Sequence, residues 1–384
     1  MNTEQQYSTQ TYHCRLCRQP IAKTEALQIG PYPKAAQYYP EPAEFPSDFG
    51  VLLNIVECSG CGLTQLMNEP VEYFKQVITA ASLSPVVREQ RAVLFTRLRK
   101  LFPETPVSPK ALEIGCAGGD NLPLLREIGY IARGIESPPP GQLPTCNPDI
   151  LETYILDLGP EHQGEYDLLV SFNYLEHQPD TRAFLEKCHS LLTNGGKLLL
   201  TVPNLDFLLT SLSGHEFVTD HLVYFTANSL ETALRITGFS LLDLQIINNQ
   251  YDIQIIAEKR QPSAIQPCKT AVDNLVALLN KKLHDCNAQG QKVAVWGAGH
   301  RTLALLSLAE HHLIDCIIDS AKFKHQKFAP ISHLRILPPE CLLDTACEID
   351  VILVMVPGIY PKEVVSKIKS LPIHYHAEQF PPAE

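Results

Sequence analysis

Two groups of residues in this 384-residue chain have the types and spacing to do chemistry. The first is a set of four thiols, in Cys14-Arg15-Leu16-Cys17 and Cys58-Ser59-Gly60-Cys61-Gly62. Each CxxC grips one ion from a tight turn, and Gly60 and Gly62 ease the second turn. Cys14, Cys17, Cys58 and Cys61 together supply four thiolates, the donor set of a tetrahedral structural zinc site with no position left for water. The 40 residues between the pairs exceed the spacing of common zinc ribbons. A redox role for one CxxC is the competing reading. Eight further cysteines, Cys116, Cys188 and Cys316 among them, lie singly and mostly in apolar segments. They read as small buried hydrophobes. In a reducing compartment the paired cysteines suit a metal better than a disulfide framework. The metal would tie together a segment with too little core of its own.

The second group is Glu113-Ile114-Gly115-Cys116-Ala117-Gly118-Gly119, which ends a strand and opens a helix. Gly115, Ala117 and Gly119 let the chain turn sharply and let a ligand approach the backbone. The helix N-terminus beyond presents free N–H groups to a carboxylate. Glu136 follows the next strand, 21 residues after Gly115, the usual distance for a group that accepts from both ribose hydroxyls. The set fits the cofactor S-adenosylmethionine. A tight turn without a ligand and a nicotinamide dinucleotide site are the alternatives. Glu113, just before the first glycine, is unwelcome beside a pyrophosphate and favours the adenosyl reading. Asp157, Asn173 and His177 stand at the carboxyl ends of later strands, where ligands collect in open sheets. Asp157 suits the adenine amino group. A solvated loop aspartate and a capping or surface histidine are the plainer readings of Asp157 and His177.

The elements that must hold these groups alternate between strand and helix. A helix is predicted over 85–101, a Pro-rich break over 103–109 and a strand over 111–114. A helix at 122–128, strands at 130–135 and 166–172, a helix at 182–192 and a strand at 197–202 follow. This order argues for a doubly wound parallel sheet. Segments 240–247 and 252–258 add a late antiparallel pair. Beyond Gln261-Pro262 comes a second, shorter βαβ unit: helix 271–286, strand 292–296, helix 302–310, strands 314–318 and 351–356, helix 361–368. In it Gly297-Ala298-Gly299-His300-Arg301-Thr302 follows a strand and opens a helix, so a diphosphate would sit on the helix N-terminus. Thr302 occupies the place of a third glycine. Arg301 can pair with a phosphate, and Asp319 can reach a ribose hydroxyl. A βαβ unit serving only as scaffold is the plainer reading. Three regions result: 1–75, 76–260 and 261–384.

Composition bounds the function. The net charge of −11 disfavours general nucleic-acid and anionic-membrane binding. No apolar run reaches the roughly eighteen residues that span a bilayer. Residues 1–12 are polar, without a basic segment leading into an apolar one, so no secretory signal is read. A cytoplasmic enzyme is expected, as a monomer or weak dimer, with no nucleic-acid or membrane partner.

Taken in order, these modules resemble the sugar C-methyltransferases, which place a methyl on C3 of nucleotide-linked 4-keto-deoxysugars. The resemblance covers almost the whole chain. It is strongest at the four cysteines, at 112–119 and at Val295-Trp296-Gly297-Ala298-Gly299, and it includes Asp220-His221-Leu222-Val223-Tyr224-Phe225-Thr226. It implies a class I methyltransferase sheet flanked by a small N-terminal zinc module and a C-terminal Rossmann-like domain. The C-terminal domain would bind the nucleotide sugar through Gly297, Gly299, His300, Arg301 and Asp319. S-adenosylmethionine and structural Zn2+ are the implied cofactors. His221 matches the family's suggested base for the C3 proton, with Asp220 adjoining it and Tyr224 in the substrate-binding segment. Carbon methylation needs such a base, because a carbon beside a ketone becomes a nucleophile once its proton leaves. A neutral imidazole can take the proton, and an adjacent carboxylate can orient the ring. The chain departs from the family at two places. Thr219-Asp220-His221 replaces a Tyr-Glu-His triplet, and a second tyrosine expected within 77–84 has no match. These departures motivate two alternatives: a nucleotide-sugar-binding protein without catalysis, and a methyltransferase for another acceptor. RNA as that acceptor is disfavoured by the acidic balance.

Overall fold

The computed structural model describes residues 12–22, 26–36, 39–76, 83–102, 107–138, 147–344, 348–372 and 375–382. The chain divides into two compact units, Met1–Gln261 and Pro262–Glu384.

In the first unit, β1 (Tyr12–His13) and β2 (Pro20–Ile21) form a short hairpin around the first cysteine turn. Next come β3 (Leu27–Tyr32), β4 (Val51–Glu57) and β5 (Thr64–Leu66). Then follow α1 (Pro85–Arg99), β6 (Lys110–Ile114), α2 (Leu122–Glu127), β7 (Ile131–Glu136) and β8 (Ile150–Glu152). After them run β9 (Tyr166–Phe172), α3 (Thr181–Leu191), β10 (Leu192–Pro203), α4 (Leu205–Thr210) and β11 (Val223–Tyr224). The unit closes with α5 (Ala227–Ile236), β12 (Phe239–Ile247) and β13 (Asp252–Lys259).

The main sheet has seven strands in the order β12-β13-β10-β9-β6-β7-β8. Strands β8, β7, β6, β9 and β10 are parallel, and β13 runs antiparallel to both β10 and β12. Counted along the chain, the strands stand 3-2-1-4-5-7-6, the arrangement of a class I methyltransferase sheet. The order reverses between β6 and β9, so ligands are expected beyond the carboxyl ends of those two strands. Their side chains are buried on both faces, as central parallel strands require. Helix starts are set by local chemistry. Ser84 caps α1 by accepting from Val87 N, with Pro85 in the first turn. Asp180 caps α3 by accepting from Ala183 N. Thr226 and Ser229 form a reciprocal capping box on α5.

A four-stranded sheet, β11-β5-β4-β3, joins the cysteine-bearing segment to a strand some 160 residues later in the chain, roughly one domain length. Cys14, Leu16, Val56, Cys58 and Leu63 lie in the same apolar cluster as Leu169, Leu175 and Val223.

The second unit contains α6 (Gln266–Ala288), β14 (Val293–Trp296), α7 (His300–Leu308), β15 (Cys316–Ile318), β16 (Ile336–Leu337), β17 (Val351–Val354), α8 (Tyr360–Lys369) and β18 (His376–Gln379). Its five strands are all parallel in the order β16-β15-β14-β17-β18, with the reversal between β14 and β17. Helix α6 starts earlier than the apolar spacing predicts, because Pro267 opens a first turn of exposed residues that carries no periodic signal. No described helix is long and apolar enough to cross a membrane.

Candidate active site

The turn after β6 is shaped by its glycines. Gly115 and Gly119 have φ of +71° and +83°, and a Cβ on Gly115 would lie 2.7 Å from the Tyr174 ring. Gly115 N and Cys116 N donate to Ile135 O, and Ala117 N donates to Glu136 Oε2 at 2.8 Å. The fold therefore brings Gly115, Ala117 and Glu136 together at the switch point. Glu113 is buried, and burial raises its carboxyl to about 7. Asn121 Nδ2 donates to Glu113 Oε1 at 2.6 Å, while Glu113 Oε2 and Asn121 Oδ1 have no hydrogen-bond partner among the described residues. A buried, orphaned carboxylate oxygen beside a glycine turn suits an ammonium group. The methionyl end of S-adenosylmethionine carries one, so these residues fit that cofactor.

Asn173 and Asp157 stand differently. Asn173 has φ of 46°, and its side chain is engaged with Thr201 Oγ1 and Asp252 Oδ1, locking the ends of β9, β10 and β13. Asp157 is exposed in a single 3₁₀ turn after β8.

The two predicted histidines meet. His177 ends a 3₁₀ turn (Leu175–His177) beyond β9, and His221 sits in a turn just before β11. Their rings pack edge to face with centroids 4.8 Å apart. Together with Glu176 they bring ligand-type atoms within 4.8 Å of one another. Burial, and then His177, lowers His221 to about 3. Burial also lowers His177. Glu176 is fully buried, its Oε2 has no partner among the described residues, and burial raises it to about 8. All three groups are therefore uncharged near neutrality. His177 Nδ1 lies 2.9 Å from the carbonyl oxygen of Asp220. A carbonyl only accepts, so Nδ1 carries the proton and Nε2 keeps its lone pair.

Two expectations need correction. The Asp220 carboxylate does not orient the His221 ring. It accepts from Ala36 N at 2.7 Å and from Tyr73 Oη at 2.7 Å, because successive residues of this turn face opposite ways. Tyr224 is buried, and its hydroxyl accepts from Val218 N at 2.9 Å and donates to Val218 O. It braces the turn that carries His221. The second tyrosine expected within 77–84 falls mostly on 77–82, outside the described residues. Tyr73, a few positions earlier, is the one that reaches Asp220. Sequence reasoning missed Tyr73, Glu176 and Asn121. A Leu-Glu-His run after an apolar strand was the available signal for Glu176. Nothing local marked Tyr73.

The four cysteines converge. Cys14 and Cys61 sulfurs lie 3.6 Å apart, Cys17 and Cys58 sulfurs 3.5 Å apart, and all four lie within 4.8 Å of one another. A tetrahedron with metal–sulfur bonds of about 2.3 Å has edges of about 3.8 Å, so the cluster fits zinc. Each turn closes alike: Arg18 N donates to Cys14 O and Gly62 N to Cys58 O, with φ of 68° and 72° at these residues. Leu16 N and Gln65 Nε2 donate to Cys14 Sγ at 3.4 and 3.3 Å. Such N–H···S bonds favour thiolates.

In the second unit the turn after β14 repeats the logic of the first. Gly297 has φ of +113°, and a Cβ there would meet Val356 at 2.7 Å. A Cβ on Gly299 would meet nothing within 4 Å, so the start of α7 is open to a ligand. His300 and Arg301 are exposed on its first turn. Thr302 is buried and donates to Met355 O, which explains a threonine where a third glycine was looked for. Asp319 Oδ2 accepts from Ala298 N at 2.7 Å and from Lys324 Nζ at 2.9 Å, and Oδ1 accepts from Ala321 N. Burial pushes Asp319 up, but Lys324 and the two amides outweigh it and hold it below the usual carboxylate range.

Residues 86–244 match the family described as a methyltransferase domain, and residues 257–371 match the C-methyltransferase C-terminal domain. Both matches are to models of methyltransferase domains, each over less than half of the chain. A ubiquinone biosynthesis O-methyltransferase of Xanthomonas axonopodis pv. citri is 30% identical over 107 residues, 26% of this chain and 45% of the relative. That of Marinobacter nauticus is 31% identical over 124 residues, 28% of this chain and 51% of the relative. The chain thus spans about half the length of the curated relatives it matches. Among solved structures, the PH0226 protein from Pyrococcus horikoshii OT3 aligns over 50% of this chain and 97% of its own, at 15% identity and a TM-score of 0.37.

Proposed function

We propose that the chain methylates C3 of a nucleotide-linked 4-keto-deoxysugar. The observation that carries this reading is the pair of uncharged, half-buried histidines at the switch-point end of the sheet, beside the adenosyl turn's strand. S-adenosylmethionine, when bound, supplies an electrophilic methyl group. Glu113 and Asn121 would hold its ammonium, Glu136 its ribose hydroxyls, and the turn 115–119 its amino-acid tail. His221 is the candidate base that takes the C3 proton of the sugar. His177 stands beside it with a free Nε2 lone pair, able to pass the proton on. Tyr73 and Asp220 hold the wall of the site. Excluding water and aligning the carbon nucleophile would be the protein's main contribution to rate.

The nucleotide is assigned to the second unit, on the Gly297–Arg301 turn with Asp319 beyond the next strand. The match of 257–371 to a C-methyltransferase C-terminal domain supports that assignment. The four cysteines are assigned to one structural zinc ion. O-methylation of a small acceptor is the second reading, favoured by the O-methyltransferase relatives of the first unit.

The test is incubation with S-adenosylmethionine carrying an isotope-labelled methyl group and a panel of nucleotide-linked 4-keto sugars, read by mass spectrometry. A sugar heavier by one methylene, with the label on carbon by NMR, is expected. A chain that binds the cofactor and methylates none of the panel would sink the reading. Label on oxygen would favour the second.

A further inference from the structure

The cysteine site and the histidine pair share one hydrogen-bonded frame. Gln65 is completely buried on β5. Its amide nitrogen donates to Cys14 Sγ at 3.3 Å, and its amide oxygen accepts from Arg15 N at 2.8 Å. One residue on, Leu66 N donates to Leu222 O at 2.9 Å, and Leu222 N donates to Glu176 O at 2.7 Å. Leu222 follows His221 directly, and Glu176 directly precedes His177. A second connection leaves the same cysteine turn. The Arg15 guanidinium donates to Leu66 O, Asn68 O and Pro179 O. Pro179 lies two residues beyond His177. The backbone hydrogen bonds of the adenosyl turn run elsewhere, to Ile135 and Glu136.

We propose that the cysteine site positions the histidine pair, with Gln65 as the positioning residue. A cation at the cysteines fixes Cys14, and a metal thiolate accepts a stronger N–H···S bond than a free thiol does. Gln65 and Arg15 hold β5 and Pro179 to that fixed point. Leu222 and Glu176 carry the constraint to His221 and His177. Occupancy of the cysteines then sets the acceptor half of the site and leaves the donor half alone. This inference rests on the acceptor site assigned above.

The test uses the full chain with and without zinc. Three quantities are read: the imidazole NMR signals of His177 and His221, the affinity for S-adenosylhomocysteine, and the zinc affinity by chelator competition. Zinc removal should shift or broaden both imidazole signals and change S-adenosylhomocysteine affinity by no more than about twofold. Adding zinc back should restore the signals. Gln65→Leu should weaken zinc by about tenfold to a hundredfold, the range for outer-sphere partners of metal sites. Saturated with zinc, it should still show displaced His221 signals. Gln65→Glu, of equal size, replaces it if circular dichroism shows that Gln65→Leu does not fold. Unmoved imidazole signals in the metal-free chain or in the zinc-saturated variant would overturn the proposal. So would loss of S-adenosylhomocysteine binding along with the metal. None of these readouts needs a sugar or a methyl transfer, so their failure is separable from failure of the proposed reaction.

Discussion

His177 Nδ1 donates to the backbone carbonyl of Asp220, 2.9 Å away, and this single bond decides which nitrogen of His177 can accept a proton. The same bond ties the turn after β9 to the turn that carries His221. The His177 ring is therefore set by backbone and not by a neighbouring carboxylate.

His221→Asn is expected to lower kcat by about 10²–10⁴, the usual range for a positioned acid or base. His177→Asn should lower it as well. Affinity for S-adenosylmethionine, measured by calorimetry, should not change in either. Turnover preserved in His221→Asn would remove it as the base.

Tyr73→Phe deletes one hydrogen bond to the Asp220 carboxylate. A hydrogen bond to a charged group is worth about 1.5–3 kcal/mol, or about tenfold to a hundredfold. The loss should fall on kcat/KM for the acceptor, with cofactor affinity unchanged. An equal loss for both ligands would mean that Tyr73 supports the whole unit.

Glu136→Ala should weaken S-adenosylmethionine by about tenfold or more, because the two charge-assisted bonds proposed to the ribose would be lost. Arg301→Ala should leave the cofactor untouched and raise KM for a nucleotide-linked acceptor by about tenfold. Initial rates with both ligands varied separate the two effects.

Stability should depend on pH through the buried groups. Glu176 ionises near 4.5 when unfolded and only near about 8 in the fold, and Glu113 moves the same way, to about 7. Their contribution is full below 4.5 and is lost as pH rises toward these values. His221 runs oppositely. It falls from 6.5 to about 3, so its contribution is full above 6.5 and is lost as pH falls toward 3. Glu176→Gln removes only the alkaline loss. The difference in Tm, variant minus parent, should grow between pH 5 and pH 8. A flat difference would contradict the buried-acid assignment.

Elemental analysis should find about one zinc per chain, and Cys58→Ser should leave less than about a tenth of that. A folded Cys58→Ser variant with a full complement of zinc would contradict the four-cysteine site.

Most of the sheet was legible in the sequence because its strands are apolar runs of ordinary length between helices with clear caps. Strand 166–172 and the pair β12 and β13 fall where alternation and turn residues put them. The short strands were not legible. β11 and β16 are two residues long, and β8 three, too short to carry a period. They exist because a neighbouring strand offers unpaired backbone. β1 and β2 are likewise only two residues long. In the candidate site, the glycine turn with Glu136 and the four cysteines were readable from local spacing. The partners of Asp220 were not. Tyr73 and Ala36 lie 147 and 184 residues from it in the chain, and only the fold brings them near.

The pairing of β5 with β11 has a consequence for synthesis. β5 finds its outer neighbour only after Tyr224 has left the ribosome, roughly 160 residues after Leu66, or on the order of 10–30 s at ordinary elongation rates. For that interval the four thiols emerge with their sheet incomplete. Early capture of a metal ion, before the partner strand exists, would shield them from oxidation during the wait.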